Sequence, residues 1–138
     1  MTIHQLIYTS RSTPAISDEV LLQILIKAQK KNYQLQLSGL LVLNKGAFMQ
    51  LLEGGKKEVD ELFEKIKNDP RHTDVKLVLE TDSPKRCMPS WAMGISTEGH
   101  ECDGISEQDY HIPIEVTRKI CGLMEGEIGK KFLQFLDA

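Results

Sequence analysis

Three polar side chains have types that suit hydrogen bonding to a bound ligand, and two of them stand in apolar stretches of the sequence. Gln50 lies in the apolar run 47–52, and Tyr8 lies late in the short segment 3–9. Asn32 follows a stretch with helical spacing and offers both a donor and an acceptor. If Tyr8 and Gln50 lie on adjacent strands, a hydroxyl donor and an amide point into one apolar slot. That arrangement is typical of a ligand site.

Each of these residues also has a purely structural interpretation. Tyr8 is then a core residue whose hydroxyl finds any acceptor. Gln50 is then an edge residue that faces water, because a buried amide left without partners costs roughly 1–3 kcal/mol. Asn32 is then the C-terminal cap of a helix. The sequence leaves both sets of interpretations open.

Two further groups have the same ambiguity. The turn Asp69-Pro70-Arg71-His72 closes a predicted helix, and its residues are equally consistent with a charged surface turn that has no role in ligand binding. Trp91, the only tryptophan, and Met93 are two residues apart, so they share one face of a predicted strand. By themselves they are ordinary core residues.

Other chemistry has little support. His100, Cys102 and His111 have ligand-like types but no accepted metal spacing, so we predict no metal site. The sequence contains no GxGxxG, no Walker loop and no nucleophile elbow, so no glycine-rich phosphate cradle is predicted. Three cysteines, an odd number at irregular spacing, indicate reduced thiols.

Composition narrows the class of protein. The chain has 138 residues, of which 41% are hydrophobic and 27% charged, with a formal net charge of −3. This balance predicts a globular protein without a basic surface for nucleic acid or for an acidic membrane. No apolar window has the roughly 18 residues of a membrane-spanning helix, and the N-terminus lacks a signal-peptide pattern. We therefore expect a cytoplasmic protein.

The hydrophobic pattern predicts the order β-α-β-β-α-β-β. Ser17 is a candidate N-cap for the first helix, Asn44-Lys45-Gly46 supplies a hairpin turn, and Pro70 ends the second helix. This order is typical of the ferredoxin-like α+β fold, with two helices on one sheet face. The predicted elements are strands at 3–9, 37–43, 47–53, 75–80 and 91–95, a helix over 18–31, and a second helix between Gly55 and Pro70.

The remaining residues differ in character. We expect residues 1–97 to form one domain and residues 98–138 to form a helical extension. Pro113 opens the predicted extension helix, and Gly126 and Gly129 are expected to interrupt it. Its apolar residues need a surface, either the free sheet face or another subunit, so we predict a homo-oligomer.

Several motifs, read together, resemble the BLUF family, the blue-light sensors that use FAD. The resemblance covers residues 3–94 and rests on a specific phrase, Phe-x-Gln-x-Leu-Glu-Gly, with Asp-Pro-Arg-His at its expected distance. The blocks that carry it are Leu6-Ile7-Tyr8-Thr9-Ser10, Ala28 with Asn32, Leu37-Ser38-Gly39-Leu40-Leu41, the run from Gly46 to Gly54, Asp69-Pro70-Arg71-His72, and Arg86, Pro89, Trp91, Met93 and Gly94.

The resemblance implies a non-covalent FAD whose ring lies between the two helices. It implies that Tyr8 and Gln50 contact the ring and carry the photochemistry, that Asn32 bonds the carbonyl and N3 edge, and that Trp91 and Met93 relay the signal. It further assigns cofactor contacts to Ser10, Ile24, Ser38, Lys65, Ile66, Asp69, Arg71 and His72.

Blue-light sensing implies a switch and no catalysis. An oxidised phenol is strongly acidic, so the Tyr8 proton should follow its hydrogen bond to Gln50, whose amide then re-aims its donors. With about 40 residues beyond the sensor, we expect the signal to pass to a separate effector protein.

Two alternatives stay open. One is an acylphosphatase-type hydrolase with Arg11 as the phosphate ligand, although the segment after Arg11 makes a poor anion-binding loop. The other is a flavin-free interaction module on the same fold.

Overall fold

Five strands form a single sheet in the computed structural model, which describes residues 2–12, 27, 30–44, 47–70, 72–88, 93–97, 114–124 and 126–137. The strand order is β4-β1-β3-β2-β5; the first four are antiparallel neighbours, and β5 runs parallel to β2. The predicted ferredoxin-like α+β fold is confirmed, including its fifth strand. The strands are β1 (Ile3–Ser12), β2 (Ser38–Asn44), β3 (Ala47–Gly54), β4 (His72–Ser83) and β5 (Met93–Thr97).

The hairpin between β2 and β3 follows the prediction. Asn44 pairs with Ala47, so two residues connect the arms. The edge strand β4 is longer than predicted, because its pairing with β1 continues through register shifts after Ile7 and Thr9. Such irregularities let a strand continue past positions where simple alternation fails. Trp91 lies outside the described residues, and β5 begins at Met93.

Helix α1, of which residues 27 and 30–34 are described, ends three residues later than predicted. The backbone carbonyl of Asn32 closes it by accepting the amides of Leu35 and Leu37 at 3.1 and 2.9 Å. Gln36 then turns the chain with a φ of 60°. The rest of the predicted helix over 18–31 lies outside the described residues.

Helix α2 (Lys56–Lys67) covers one face of the sheet, called the inner face below. Val59 and Phe63, four residues apart, are its buried residues, as expected for an amphipathic helix. They pack with strand residues into the inner cluster, which consists of Leu6, Tyr8, Leu37, Leu41, Phe48, Leu52, Val59 and Phe63.

Two C-terminal helices cover the opposite, outer face. They are α3 (Ile114–Leu123) and α4 (Glu127–Asp137), separated at Gly126 with a φ of 84°. Their buried residues join strand residues in the outer cluster, as the apolar excess of this segment predicted. The outer cluster consists of Ile7, Leu40, Val42, Met49, Leu51, Cys121, Ile128, Phe132 and Leu136.

The expected interruption at Gly129 is wrong. Gly129 lies inside α4, where a Cβ atom would clash with the carbonyl oxygen of Cys121. The glycine therefore permits a close approach of α4 to α3 instead of ending the helix. Across the described part of the chain, no helix combines the length and the apolar character that a bilayer crossing requires.

Candidate functional site

Tyr8 and Gln50 are direct cross-strand partners at the centre of the sheet. Tyr8 on β1 is paired with Gln50 on β3, and Gln50 is paired on its other side with Leu41 of β2. The Tyr8 hydroxyl donates a hydrogen bond to Gln50 Oε1. Tyr8 is 4% exposed and Gln50 7%, so Gln50 is not an edge residue that faces water. The pair is a buried donor–acceptor couple within an apolar cluster.

The surroundings of Tyr8 keep its phenol neutral. Burial raises the pKa of Tyr8, and the negative charge of Asp69 raises it further. The ring packs against Phe63 of α2, with centroids 5.5 Å apart and planes inclined by 38°. Tyr8 is therefore protonated at neutral pH and acts as the hydrogen-bond donor.

Asn32, near the C-terminal end of α1, is a further buried polar residue. It is 4% exposed, and its backbone carbonyl already closes α1. Within the part of the chain that the structure describes, the Asn32 side-chain amide forms no hydrogen bond. The amide of Asn32 is suited to a ligand that supplies both an acceptor and a donor.

Other predicted site residues surround this pair to different extents. Ser10 is buried two residues beyond Tyr8 on the same face of β1. Ile66 is partly buried against the inner cluster, whereas Lys65 is exposed on α2. Asp69, just after α2, acts electrostatically on Tyr8.

The remaining predicted positions are less well placed. Ile24, Arg71 and Trp91 lie outside the described residues, and for His72 and Met93 only the strand positions are described. Met93 of β5 pairs with Gly39 of β2. Two residues further along these strands, Ile95 pairs with Leu41, which in turn pairs with Gln50 of β3.

The structure places Ser38 elsewhere than expected. Ser38 is three residues before Leu41 on β2, so its side chain lies on the outer face. Its hydroxyl donates to Glu53 Oε1 at 3.0 Å and accepts from Arg86 Nη1 at 2.7 Å. Because these contacts lie on the other side of the sheet from Tyr8, we remove Ser38 from the cofactor contacts.

Glu53 and Arg86 stand in the quoted motifs, but neither was predicted to have a role. Glu53 is the one charged residue in the apolar strand β3, and this isolated charge could have marked it as a residue with specific partners. Its partners come from residues far along the chain, which periodicity does not reveal. His4 was also missed: it is buried and bonded to Asp82 and Glu80 of β4.

A ferredoxin-like sheet with a buried hydroxyl–amide pair on one face, and a further polar amide at the end of α1, is suited to holding a ligand with polar edges. Residues 3–94 match the family model of BLUF, the sensors of blue light using FAD. The chain therefore belongs to the BLUF family of blue-light photoreceptors, and its cofactor is non-covalently bound FAD.

Known proteins agree with this assignment. The β subunit of the photoactivated adenylate cyclase of Euglena longa is 38% identical over 98 residues, which are 70% of this chain but only 11% of that protein. The blue light- and temperature-regulated antirepressor BluF of Escherichia coli K12 is 36% identical over 59 residues, 43% of this chain and 15% of that protein. Among solved structures, BlsA in its photo-activated state matches with a TM-score of 0.69 and 26% identity, over 99% of this chain and 94% of that one.

The described residues fit the flavin. The isoalloxazine ring has an apolar face and an edge of carbonyl and N–H groups. The inner cluster offers apolar contacts, and the amide of Asn32 offers a donor and an acceptor for that edge.

Proposed function

We propose that this protein senses blue light through electron and proton transfer from Tyr8, followed by rearrangement of the Gln50 amide. The observation that carries this proposal is the buried hydrogen bond from the Tyr8 hydroxyl to Gln50 Oε1. It joins an oxidisable donor directly to a group that can store a change in hydrogen bonding. The two residues are direct partners on neighbouring central strands, so the sheet fixes their separation.

The residues of the site account for the steps. Bound FAD supplies a ring that absorbs blue light and, when excited, takes one electron from a nearby donor. Tyr8 is a neutral phenol, since burial and Asp69 raise its pKa. On losing an electron it becomes strongly acidic, and the hydroxyl proton moves along its bond to Gln50 Oε1.

The amide of Gln50 then holds the signal. A primary amide can rotate or tautomerise, and either change re-aims its donors. The electron and the proton return to Tyr8, so no substrate is consumed and the covalent state is restored. What differs afterwards is the pattern of hydrogen bonds around Gln50, and this difference constitutes the switch.

The proposed cofactor contacts follow the family pattern at positions that this chain retains. Asn32 bonds the carbonyl and N3 edge of the ring, and Ile66 packs against the ring. Lys65 and Asp69 contact the polar part of the cofactor. Lys65 is exposed, so its side chain does not pack in the core. The same pattern assigns further contacts to Ser10, Ile24, Arg71 and His72.

The signal leaves through protein contacts. We assign sensing to residues 1–97 and output to residues 98–138, where α3 and α4 cover the outer face. Leu123, 84% exposed at the end of α3, and the exposed Val116 provide apolar surface for a second copy of the chain or an effector protein. The free thiols of Cys87 and Cys121 support a reducing, cytoplasmic compartment.

The test is the absorption spectrum of the purified, FAD-loaded chain. Blue light should shift the flavin band to longer wavelength, and darkness should reverse the shift. An FAD-loaded chain whose absorption is the same before and after blue light would contradict the proposal.

A further inference from the structure

Glu53 is a buried carboxylate that the light-sensing chemistry does not use. It is 0% exposed, at the C-terminal end of β3. Gln5 Nε2 and the Cys87 amide donate to its Oε2 at 3.0 and 2.8 Å. The Ser38 hydroxyl and the Met88 amide donate to its Oε1 at 3.0 and 2.7 Å. The carboxylate thus joins β1, β2 and β3 to residues 87–88.

Arg86 reinforces the same connection. Its Nη1 donates to the Ser38 hydroxyl at 2.7 Å and to the Glu53 backbone carbonyl at 3.0 Å. Its Nη2 donates to the Gln36 carbonyl at 2.8 Å. The planar guanidinium therefore binds the chain before β2 and the end of β3 at once. We call residues 86–88 together with Glu53 the latch.

The latch lies between the light-sensing pair and the C-terminal helices. Glu53 is three residues from Gln50 on the same strand, roughly 10 Å along it and on the opposite face. On that face, Cys87 and Met88 pack against the outer cluster. The cluster includes Cys121 of α3 and Phe132 of α4. Met49 and Leu51 of β3 belong to the same cluster, so residues 87 and 88 provide a second connection from β3 to both helices beside the packing of the strand itself.

We infer that Glu53 is a positioning residue for output: it couples movement of β3 to residues 86–88 and thereby to α3 and α4. The inference rests on the proposed function, in which the Gln50 rearrangement provides the movement. Each carboxylate oxygen accepts one backbone amide at 2.8 Å or less. Hydrogen bonds of this length tolerate little displacement, so residues 87 and 88 follow the strand.

Glu53→Gln is the sharpest test of this coupling. The substitution keeps the shape of the side chain but replaces one oxygen with an NH₂ group. The amides of Cys87 and Met88 bond different oxygens, so one of them then faces a donor. Glu64→Gln, the same change on the exposed face of α2, is the matched control.

Two quantities are measured on the full FAD-loaded chain: the light-induced absorption shift, and the light-minus-dark difference in hydrogen exchange over residues 114–137. We expect Glu53→Gln to keep the absorption shift, because Tyr8 and Gln50 are unchanged, and to show a clearly smaller exchange difference than the wild type, because the packing of Met49 and Leu51 remains. The control should keep both. An exchange difference in Glu53→Gln equal to that of the wild type would overturn the inference.

The wild-type chain provides a second test that does not depend on folding of the variant. The amides of Cys87 and Met88 should exchange at different rates in light and in darkness. Equal rates at both amides, in a protein whose absorption does shift, would overturn the coupling and leave the proposed function intact. A wild-type protein without any absorption shift would overturn both.

Discussion

Replacement of Asn32 by alanine should weaken FAD binding without weakening the fold. The Asn32 side-chain amide makes no hydrogen bond among the described residues, whereas the backbone carbonyl closes α1 and survives the substitution. The loss therefore falls on the bound ring, whose carbonyl and N3 groups would lack partners at a cost of roughly 1–3 kcal/mol. That cost corresponds to a Kd roughly 5- to 150-fold higher.

Titration of the apoprotein with FAD measures this change, and thermal unfolding of the same apoprotein measures the fold. The midpoint of unfolding should stay level or rise slightly, since alanine has the higher helix propensity. Asn68→Ala at the exposed end of α2 is the control, because the Asn68 side-chain amide donates to the Glu64 carbonyl of the same helix. An Asn32→Ala protein with the wild-type Kd would refute the assignment of Asn32 to the ring edge.

Three further predictions concern other parts of the molecule. Gln50→Ala should bind FAD but give no lasting absorption shift, and a normal photocycle in this variant would contradict its role. Burial alone would lower the pKa of His4, but hydrogen bonds and charges from Asp82 and Glu80 raise it above the usual 6.5. The free energy of unfolding, measured with denaturant, should therefore include a contribution from His4 that is complete below about pH 6.5 and is lost as the pH rises through the raised pKa. His4→Gln should flatten this dependence on pH. A wild-type free energy of unfolding that increases over the same pH range would exclude the mechanism. Gly129→Ala should destabilise by roughly 1–3 kcal/mol through its clash with α3, whereas Gly122→Ala, with nothing within 4 Å of the new Cβ, should stabilise by about 1 kcal/mol. Shifts of the same sign in these two variants would contradict the packing of α3 against α4.

The strands and helices could be predicted because local signals marked them. Hydrophobic periodicity identified α2, and the turn residues after Leu43 set the hairpin to within a residue. The length of β4 was underestimated because its pairing continues through bulges. Gly129 was misread because the same residue type ends helices and allows them to approach closely.

The inner face of the site could also be predicted in part. Alternation assigned Tyr8 and Gln50 each to one face of its strand, and contact between them depended on the two strands being adjacent. The register of β1 and β3, in which the two residues are direct partners, meets that condition. The same alternation separates Ser38 from Leu41, so the misplacement of Ser38 was avoidable. The burial of Glu53 was not predictable, because its backbone donors at residues 87 and 88 are more than 30 positions away. Only tertiary structure brings them together.

The most direct test of the central claim compares Tyr8→Phe with the wild type at equal FAD occupancy. Phenylalanine keeps the ring that packs on Phe63 but removes the hydroxyl that bonds Gln50. The quantity measured is the absorption shift that persists after blue light is switched off. The proposed mechanism predicts a reversible shift in the wild type and none in Tyr8→Phe. A persistent shift of wild-type size in Tyr8→Phe would show that the Tyr8–Gln50 hydrogen bond is not the switch.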